Sequence, residues 1–205
     1  MTTKTKERRR ILVINGSYRE DGMTEQVIEV ALRQLQGVDA DVVKLREYPI
    51  EFCLNCRECM LQPGAVPGRC VHDDAMASLV QRIEAADAYI LAAPTNLGSV
   101  TAVFKRFMER LAVYAFWPWG KPYPSYRKTG QVQKKALLIS SSAAPAFIGS
   151  WLFGSSRQLR MTAKIIGARP VGLVFSGMAS EQPRPALTGR SRARTEKLAR
   201  KLLPG

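Results

Sequence analysis

Hydrophobic positions in this chain fall into short unbroken runs, separated by longer stretches of helical spacing. Ile11-Leu12-Val13-Ile14-Asn15 has no polar alternation, the pattern of a strand buried on both faces in a parallel sheet. From Thr24 the apolar residues Val27, Ile28, Ala31, Leu32 and Leu35 recur at helical spacing, and Gly37 is a helix stop. The alternation then repeats. Residues 39–45 read as a second strand, through Val42, Val43 and Leu45. Asp73-Asp74 cap a helix bearing Met76, Leu79, Val80, Ile83 and Ala86. Residues 88–93 form a third, fully buried strand. Its loop, residues 95–99, leads to a long helix burying Val100, Val103, Phe104, Phe107 and Leu111. Residues 136–142 are a fourth strand, 155–166 a helix stopped by Gly167, and 171–176 a fifth strand; a basic helix follows from about 191 to 203. Five apolar strands alternating with helices predict one doubly wound, three-layer α/β/α domain over residues 1–205. In such a fold a ligand sits at the carboxyl ends of the strands, where the strand order reverses.

The loop after the first strand carries the first candidate chemistry. Gly16-Ser17-Tyr18-Arg19-Glu20-Asp21-Gly22-Met23-Thr24 joins a strand to a helix N-terminus. Unpaired N–H groups and the helix dipole there favour an anion. Ser17 and Thr24 add hydroxyls, and Arg19 adds a guanidinium, so a phosphate is the natural guest. A Gly-Ser loop that serves turn geometry alone is the plainer alternative. The loop has neither the G-x-x-x-x-G-K-[ST] nor the G-x-G-x-x-G string.

Gly16-Ser17-x-Arg19, closing on Gly22-x-Thr24, resembles the phosphate loop of the NAD(P)H-dependent FMN reductase group, which includes the iron–sulfur flavoproteins. The resemblance runs from about residue 11 to 177. It implies a flavodoxin-like five-stranded sheet of order 2-1-3-4-5, which sets the loops after strands 1 and 3 side by side. It also implies that Ser17, Arg19, Gly22, Met23 and Thr24 wrap the 5′-phosphate of FMN. The flavin ring is then expected on Pro94, Thr95, Asn96, Leu97 and Gly98, with Ser141 and Ser142 approaching from the other side. Lys105 and Glu109-Arg110 match the family's following helix, whereas Asn96 stands where the family commonly has Tyr. The flavin carries the redox chemistry, so no catalytic side chain is expected. No G-x-S-x-G elbow supports a hydrolase, and His72 is the only histidine.

All four cysteines fall in one stretch, Cys53-x-x-Cys56-x-x-Cys59, then ten residues, then Cys70. Pro63-Gly64 and Pro67-Gly68 mark turns within it. Clustering of this kind in a cytoplasmic chain argues for metal or redox work. A Cys₄ set suits zinc, and the compact C-x-x-C-x-x-C run suits a [4Fe–4S] cluster; a redox disulfide and a metal-free loop stay open. The resemblance to iron–sulfur flavoproteins implies the [4Fe–4S] cluster on Cys53, Cys56, Cys59 and Cys70, although the last gap is longer than the usual motif.

Charge adds one more consideration. The formal net charge is +14, concentrated at Lys4, Lys6, Arg8, Arg9 and Arg10 and at Arg184, Arg190, Arg192, Arg194, Lys197, Arg200 and Lys201. Such ends read as a basic N-terminal tail (1–10) and a basic C-terminal segment (178–205), flanking a domain with a cysteine-rich insertion (50–72). Residues 116–124, rich in Trp, Tyr and Pro, read either as a loop packed on its own rings or as a lid or subunit interface. No apolar run approaches membrane-spanning length, and no secretion signal is read. The expectation is a cytoplasmic FMN-dependent oxidoreductase, reduced by NAD(P)H, that acts on FMN, a quinone or a protein acceptor and assembles as a homodimer or homotetramer. A non-catalytic electron carrier and a metal-stabilised nucleic-acid-binding module are the alternatives.

Overall fold

Runs of Val, Ile and Leu become the strands of one parallel sheet. The structure, a computed structural model, describes residues 8–131, 133–180, 182 and 185–203. In chain order the elements are β1 (Arg10–Asn15), α1 (Met23–Arg33), β2 (Asp39–Lys44), a short α2 (Glu58–Leu61), α3 (Ala75–Ala85) and β3 (Ala88–Ala92). Next come β4 (Thr95–Asn96), β5 (Ser99–Val100), α4 (Ala102–Arg110), β6 (Ala115–Phe116), β7 (Ser125–Tyr126) and β8 (Lys134–Ser141). The last four are α5 (Ala146–Leu152), α6 (Ser155–Ile165), β9 (Ala168–Ser176) and α7 (Gly189–Ala199). The main sheet has the order β2-β1-β3-β8-β9, every pairing parallel. This is the flavodoxin-like order 2-1-3-4-5.

Because side chains alternate along a strand, β1 feeds two cores. Leu12 and Ile14 pack with Leu79, Ile83, Phe104, Phe107 and Leu159, from α3, α4 and α6. Ile11 and Val13 pack with Val27, Ala31 and Leu198, from α1 and α7. The basic C-terminal helix is therefore part of the second core. Its Thr195, Leu198 and Ala199 are buried, and Arg200 donates from Nη1 to Gln34 Oε1 at 2.7 Å. Of the terminal basic residues, Lys4, Lys6 and Arg184 lie outside the described residues.

Several elements differ from the sequence expectation. Residues 95–100 form a hairpin, β4–β5, with Leu97 and Gly98 at its tip, both at positive φ. An Asn-Gly pair would have signalled such a turn; Leu-Gly does not. Helix α5 has no counterpart in the sequence expectation, because its apolar residues largely face outward. Strand β9 starts three residues early, at Ala168. Its pairing jumps from Pro170 opposite Ala136 to Gly172 opposite Leu137, leaving Val171 as a bulge. Among the described residues no helix is long and apolar enough to cross a membrane.

One contact ties α4 to the end of β1. Gly16 N–H donates to Ala92 O at 2.8 Å, and Thr101 Oγ1 donates to Gly16 O at 2.6 Å. A Cβ on Gly16 would lie 2.9 Å from Phe104 Cβ and Cδ2, so only glycine lets the ring approach. Phe104 is completely buried and meets Phe107 edge-on at 5.7 Å. Phe104→Ala is expected to cost about 3–5 kcal/mol, read as a lowered denaturant midpoint at unchanged m-value.

Candidate functional site

Parallel strands bring their carboxyl ends to one edge of the sheet, and three loops meet there. The loop after β1 runs into α1, whose N-cap, Gly22, offers no side-chain cap. Asp74 caps α3 and Thr188 caps α7 through their side chains, whereas α4, α5 and α6, like α1, have no side-chain cap. The first intrahelical bond of α1 is Gln26 N–H to Gly22 O, so the N–H groups of Met23, Thr24 and Glu25 are left to an external acceptor. Thr24 Oγ1 lies 3.1 Å from Ser141 Oγ, and both residues are buried. Ser17 is also buried, its hydroxyl in a local turn with Arg19 N and O at 3.2 Å. Arg19 is exposed and reaches Ala179 O with Nη1 at 3.2 Å.

Residues outside the sequence prediction brace this loop. Arg46 Nη1 donates to Ser17 O and to Glu25 Oε1, each at 3.1 Å. Asn15 Nδ2 also donates to Glu25 Oε1, and Glu25 Oε2 accepts from Asp21 N–H at 2.9 Å. Asn15 Oδ1 accepts from Ser17 N–H at 2.9 Å. The Arg46 side chain is 9 % exposed, so the pair with Glu25 is a partly desolvated ion pair. Arg46 follows a strand on the neighbouring connection, and nothing in its local sequence marks it.

The second and third loops differ in what they present. Pro94 leads into the β4–β5 hairpin. Thr95 Oγ1 bonds Ser155 Oγ at 2.8 Å, whereas Asn96 is exposed and Leu97 projects fully into solvent. Gly98 O accepts from Gly154 N–H at 2.7 Å, joining the hairpin tip to the α5–α6 junction. At the end of β8, side chains alternate. Ser141 faces Thr24, while Ser140 turns to Ala93 O and Ser155. Ser142 Oγ donates to Ala144 O at 3.0 Å, so its hydroxyl, like that of Ser17, is committed to its own turn.

The cysteine segment forms a second centre. Cys53, Cys56, Cys59 and Cys70 are all free thiols and all line one cavity of about 360 Å³, with Arg57, His72 and Glu109. Cys70 thus returns to the others despite the ten-residue gap. Among the described residues, no group of three or more His, Cys, Asp or Glu is placed to hold a single metal ion. His72 Nε2 lies 3.0 Å from Phe52 O.

Three arginines fasten the segment. Arg127, buried, donates to the carbonyls of Val113, Gly64, Cys59 and Gln62 at 2.7–3.1 Å. A Cβ on Gly68 would lie 2.0 Å from Cys59 O, so the two arms of the loop close only at glycine. Arg57 sits over the rings of Trp117 and Trp119, at 4.3 and 4.1 Å from their centroids, and donates to Trp117 O. The aromatic stretch expected to pack on itself or cover a ligand therefore packs on the cysteine segment. Arg110 is paired bidentately with Asp74 and reaches Cys70 Sγ from Nη2 at 3.5 Å.

Titration follows this geometry. Burial pushes the Cys59 thiol up to about 11, helped by the charges of Cys70, Cys53 and Cys56. Burial alone would raise the Asp74 carboxyl. The hydrogen bonds from Arg110, Glu51 N–H and Met76 N–H, with the Arg110 charge, outweigh it and hold the carboxyl below its ordinary value.

The family described as NADPH-dependent FMN reductase matches residues 9–179. An iron–sulfur flavoprotein from Archaeoglobus fulgidus is 33% identical over 107 residues, which cover 51% of this chain and 46% of that protein. The chain spans about half the length of the curated relatives it matches. Among solved structures, an FMN-dependent NADH-azoreductase from Bacillus anthracis in complex with FMN superposes with a TM-score of 0.66 at 12% identity, covering 95% of this chain and 99% of that one. An NAD(P)H:quinone oxidoreductase from Methanothermobacter marburgensis superposes with a TM-score of 0.63 at 17% identity, covering 95% and 96%. At these identities the superpositions establish the fold.

The thiol ranking gives a direct check on the metal-free protein. With limiting iodoacetamide at pH 8, exposed Cys56 is expected to be alkylated first and Cys59 last. A thiol with a raised pKa stays protonated and unreactive until the pH approaches that value, so Cys59 labelling should climb steeply above pH 10. Site-resolved mass spectrometry reads the order.

Proposed function

The chain belongs to the NADPH-dependent FMN reductase family, and we propose on that basis that it is an FMN-dependent oxidoreductase drawing electrons from NAD(P)H. The observation that carries this reading is the uncapped first turn of α1, which faces buried Thr24 and Ser141 where three strand ends converge. Ser17, Arg19, Gly22, Met23 and Thr24 would hold the phosphate. Pro94, Thr95, Asn96, Leu97 and Gly98 would carry the ring, with Ser141 and Ser142 at its far side. Bound there, FMN would supply hydride acceptance and one- or two-electron transfer. The protein's own part is to bind and orient: backbone N–H groups meet the anion, and the Asn15–Glu25–Arg46 set keeps the loop in shape. No side chain is assigned a proton-transfer step.

The same proposal gives Cys53, Cys56, Cys59 and Cys70 a [4Fe–4S] cluster for one-electron transfer. All four thiols line one cavity, and a compact C-x-x-C-x-x-C run joined by a fourth cysteine suits a [4Fe–4S] cluster. The iron–sulfur flavoprotein relative points the same way. Free thiols suit the cytoplasm as the proposed setting. The domain reading is one FMN-binding unit over 1–205, with the cysteine-rich insertion at 50–72 and basic ends.

A homo-oligomer completes the proposal. Leu97 on the hairpin and Phe147, Trp151 and Leu152 on α5 are exposed apolar side chains, on segments joined through the Gly98–Gly154 bond. Such a patch marks an association surface. Trp151→Glu is expected to shift a dimer or tetramer toward monomer in sedimentation velocity.

The deciding experiment is FMN titration of the anaerobically purified protein, with iron and acid-labile sulfide assayed on the same sample. Flavin binding, bleaching of the flavin bands by NADPH or NADH, and iron and sulfide in equal amount are expected. Thr24→Val should weaken FMN binding about tenfold, the cost of one hydrogen bond to a charged group. Failure to bind FMN overturns the central reading. Binding without reduction by either dinucleotide leaves an electron carrier.

A further inference from the structure

Four conventional thiolate ligands explain a cluster's attachment but not its reduction potential. That depends on the charge and hydrogen bonds around the sulfurs. Arg110 is the one arginine described above whose side chain hydrogen-bonds a cysteine sulfur. Its side chain is 1 % exposed, and that of Asp74 is 8 % exposed. Nη1 donates to Asp74 Oδ2 at 2.6 Å and to Glu51 O at 2.8 Å, and Nη2 donates to Asp74 Oδ1 at 3.0 Å and to Cys70 Sγ at 3.5 Å. Nε is buried without a partner. The guanidinium is thus fixed by a carboxylate on one side, with its remaining Nη2 donor turned to the thiol.

We propose that Arg110 is a positioning residue for the cysteine centre: it fixes Cys70 Sγ, and its charge raises the reduction potential of the cluster held there. The inference rests on the [4Fe–4S] reading above. Reduction adds one electron and one unit of negative charge to a cluster that thiolate ligands already make anionic, and no bond forms or breaks. The electron derives from NAD(P)H through the flavin. A guanidinium beside one sulfur stabilises the reduced form more than the oxidised form. Asp74 offsets this effect only in part: its Oδ1 accepts from the same Nη2 that reaches Cys70, but its charge is shared with the N-terminus of α3 and Glu51 N–H, and the guanidinium nitrogen is the group in contact with the sulfur. The other charged or titratable groups around the cavity are Arg57, clamped by two tryptophans, Glu109, and His72 at the Phe52 carbonyl.

Removing Arg110 alone would strand a buried carboxylate and risk unfolding. The test therefore uses the neutral pair Arg110→Gln with Asp74→Asn, in which Asn retains a capping oxygen for α3, and Arg110→Lys alone. Each is prepared with cluster and FMN, its iron and sulfide content is measured, and it is titrated anaerobically with the cluster followed by electron paramagnetic resonance. The neutral pair is expected to fall about tenfold in its reduction equilibrium, about 59 mV for a one-electron couple. Lys should restore most of that shift, and the flavin potential should stay in place in both. A neutral pair with full iron content and the wild-type potential overturns the assignment. So does a Lys variant no better than Gln, or a flavin potential that moves equally. Wild-type protein that takes up no iron overturns the cluster reading and this assignment together, a result distinguishable from the others by iron content alone.

Discussion

The constraint on which the molecule depends is that β1 has parallel neighbours on both sides and is apolar on both faces. Parallel pairing sends every connection across a face of the sheet and delivers every carboxyl end to the same edge. The loop at residues 16–24, the Thr95–Val100 hairpin and the serine run of β8 come from distant parts of the chain, yet they meet for this one reason. Burial on both faces also leaves β1 no freedom of register. A one-residue slip would exchange its two cores, turning Leu12 and Ile14 toward α1 and α7.

What the sequence revealed and what it hid divide along physical lines. Periodicity located all five strands of the main sheet and the helices α1, α3, α4, α6 and α7, because burial against a shared core leaves its mark on residue type. Glycine, serine and threonine marked the loop at residues 16–24 as a candidate anion cradle, because such a cradle needs small residues and free backbone. The cysteines were legible as a group by their spacing alone. The braces were not. Arg46, Arg57 and Arg127 act on carbonyls, rings or a distant carboxylate, and such partners depend on the tertiary fold. Helix α5 stayed hidden for a different reason: its large apolar residues point outward, so no amphipathic stripe faces the core. The hairpin was missed because Leu97 takes a positive φ that a leucine rarely adopts.

Helix α4 joins the two centres. Its first residues rest on the Gly16 loop through Thr101, and its last residue, Arg110, reaches the cysteines. Nine residues at about 1.5 Å each make a rigid spacer of ~13 Å. Phe104 and Phe107, fully buried in the middle, anchor it to the sheet.

Arg127 holds the cysteine segment by backbone carbonyls, not by side chains. Carbonyl groups are supplied by every amino acid. The ten residues between Cys59 and Cys70 can therefore drift in identity during evolution, provided the chain still closes at Gly68 and returns its thiol.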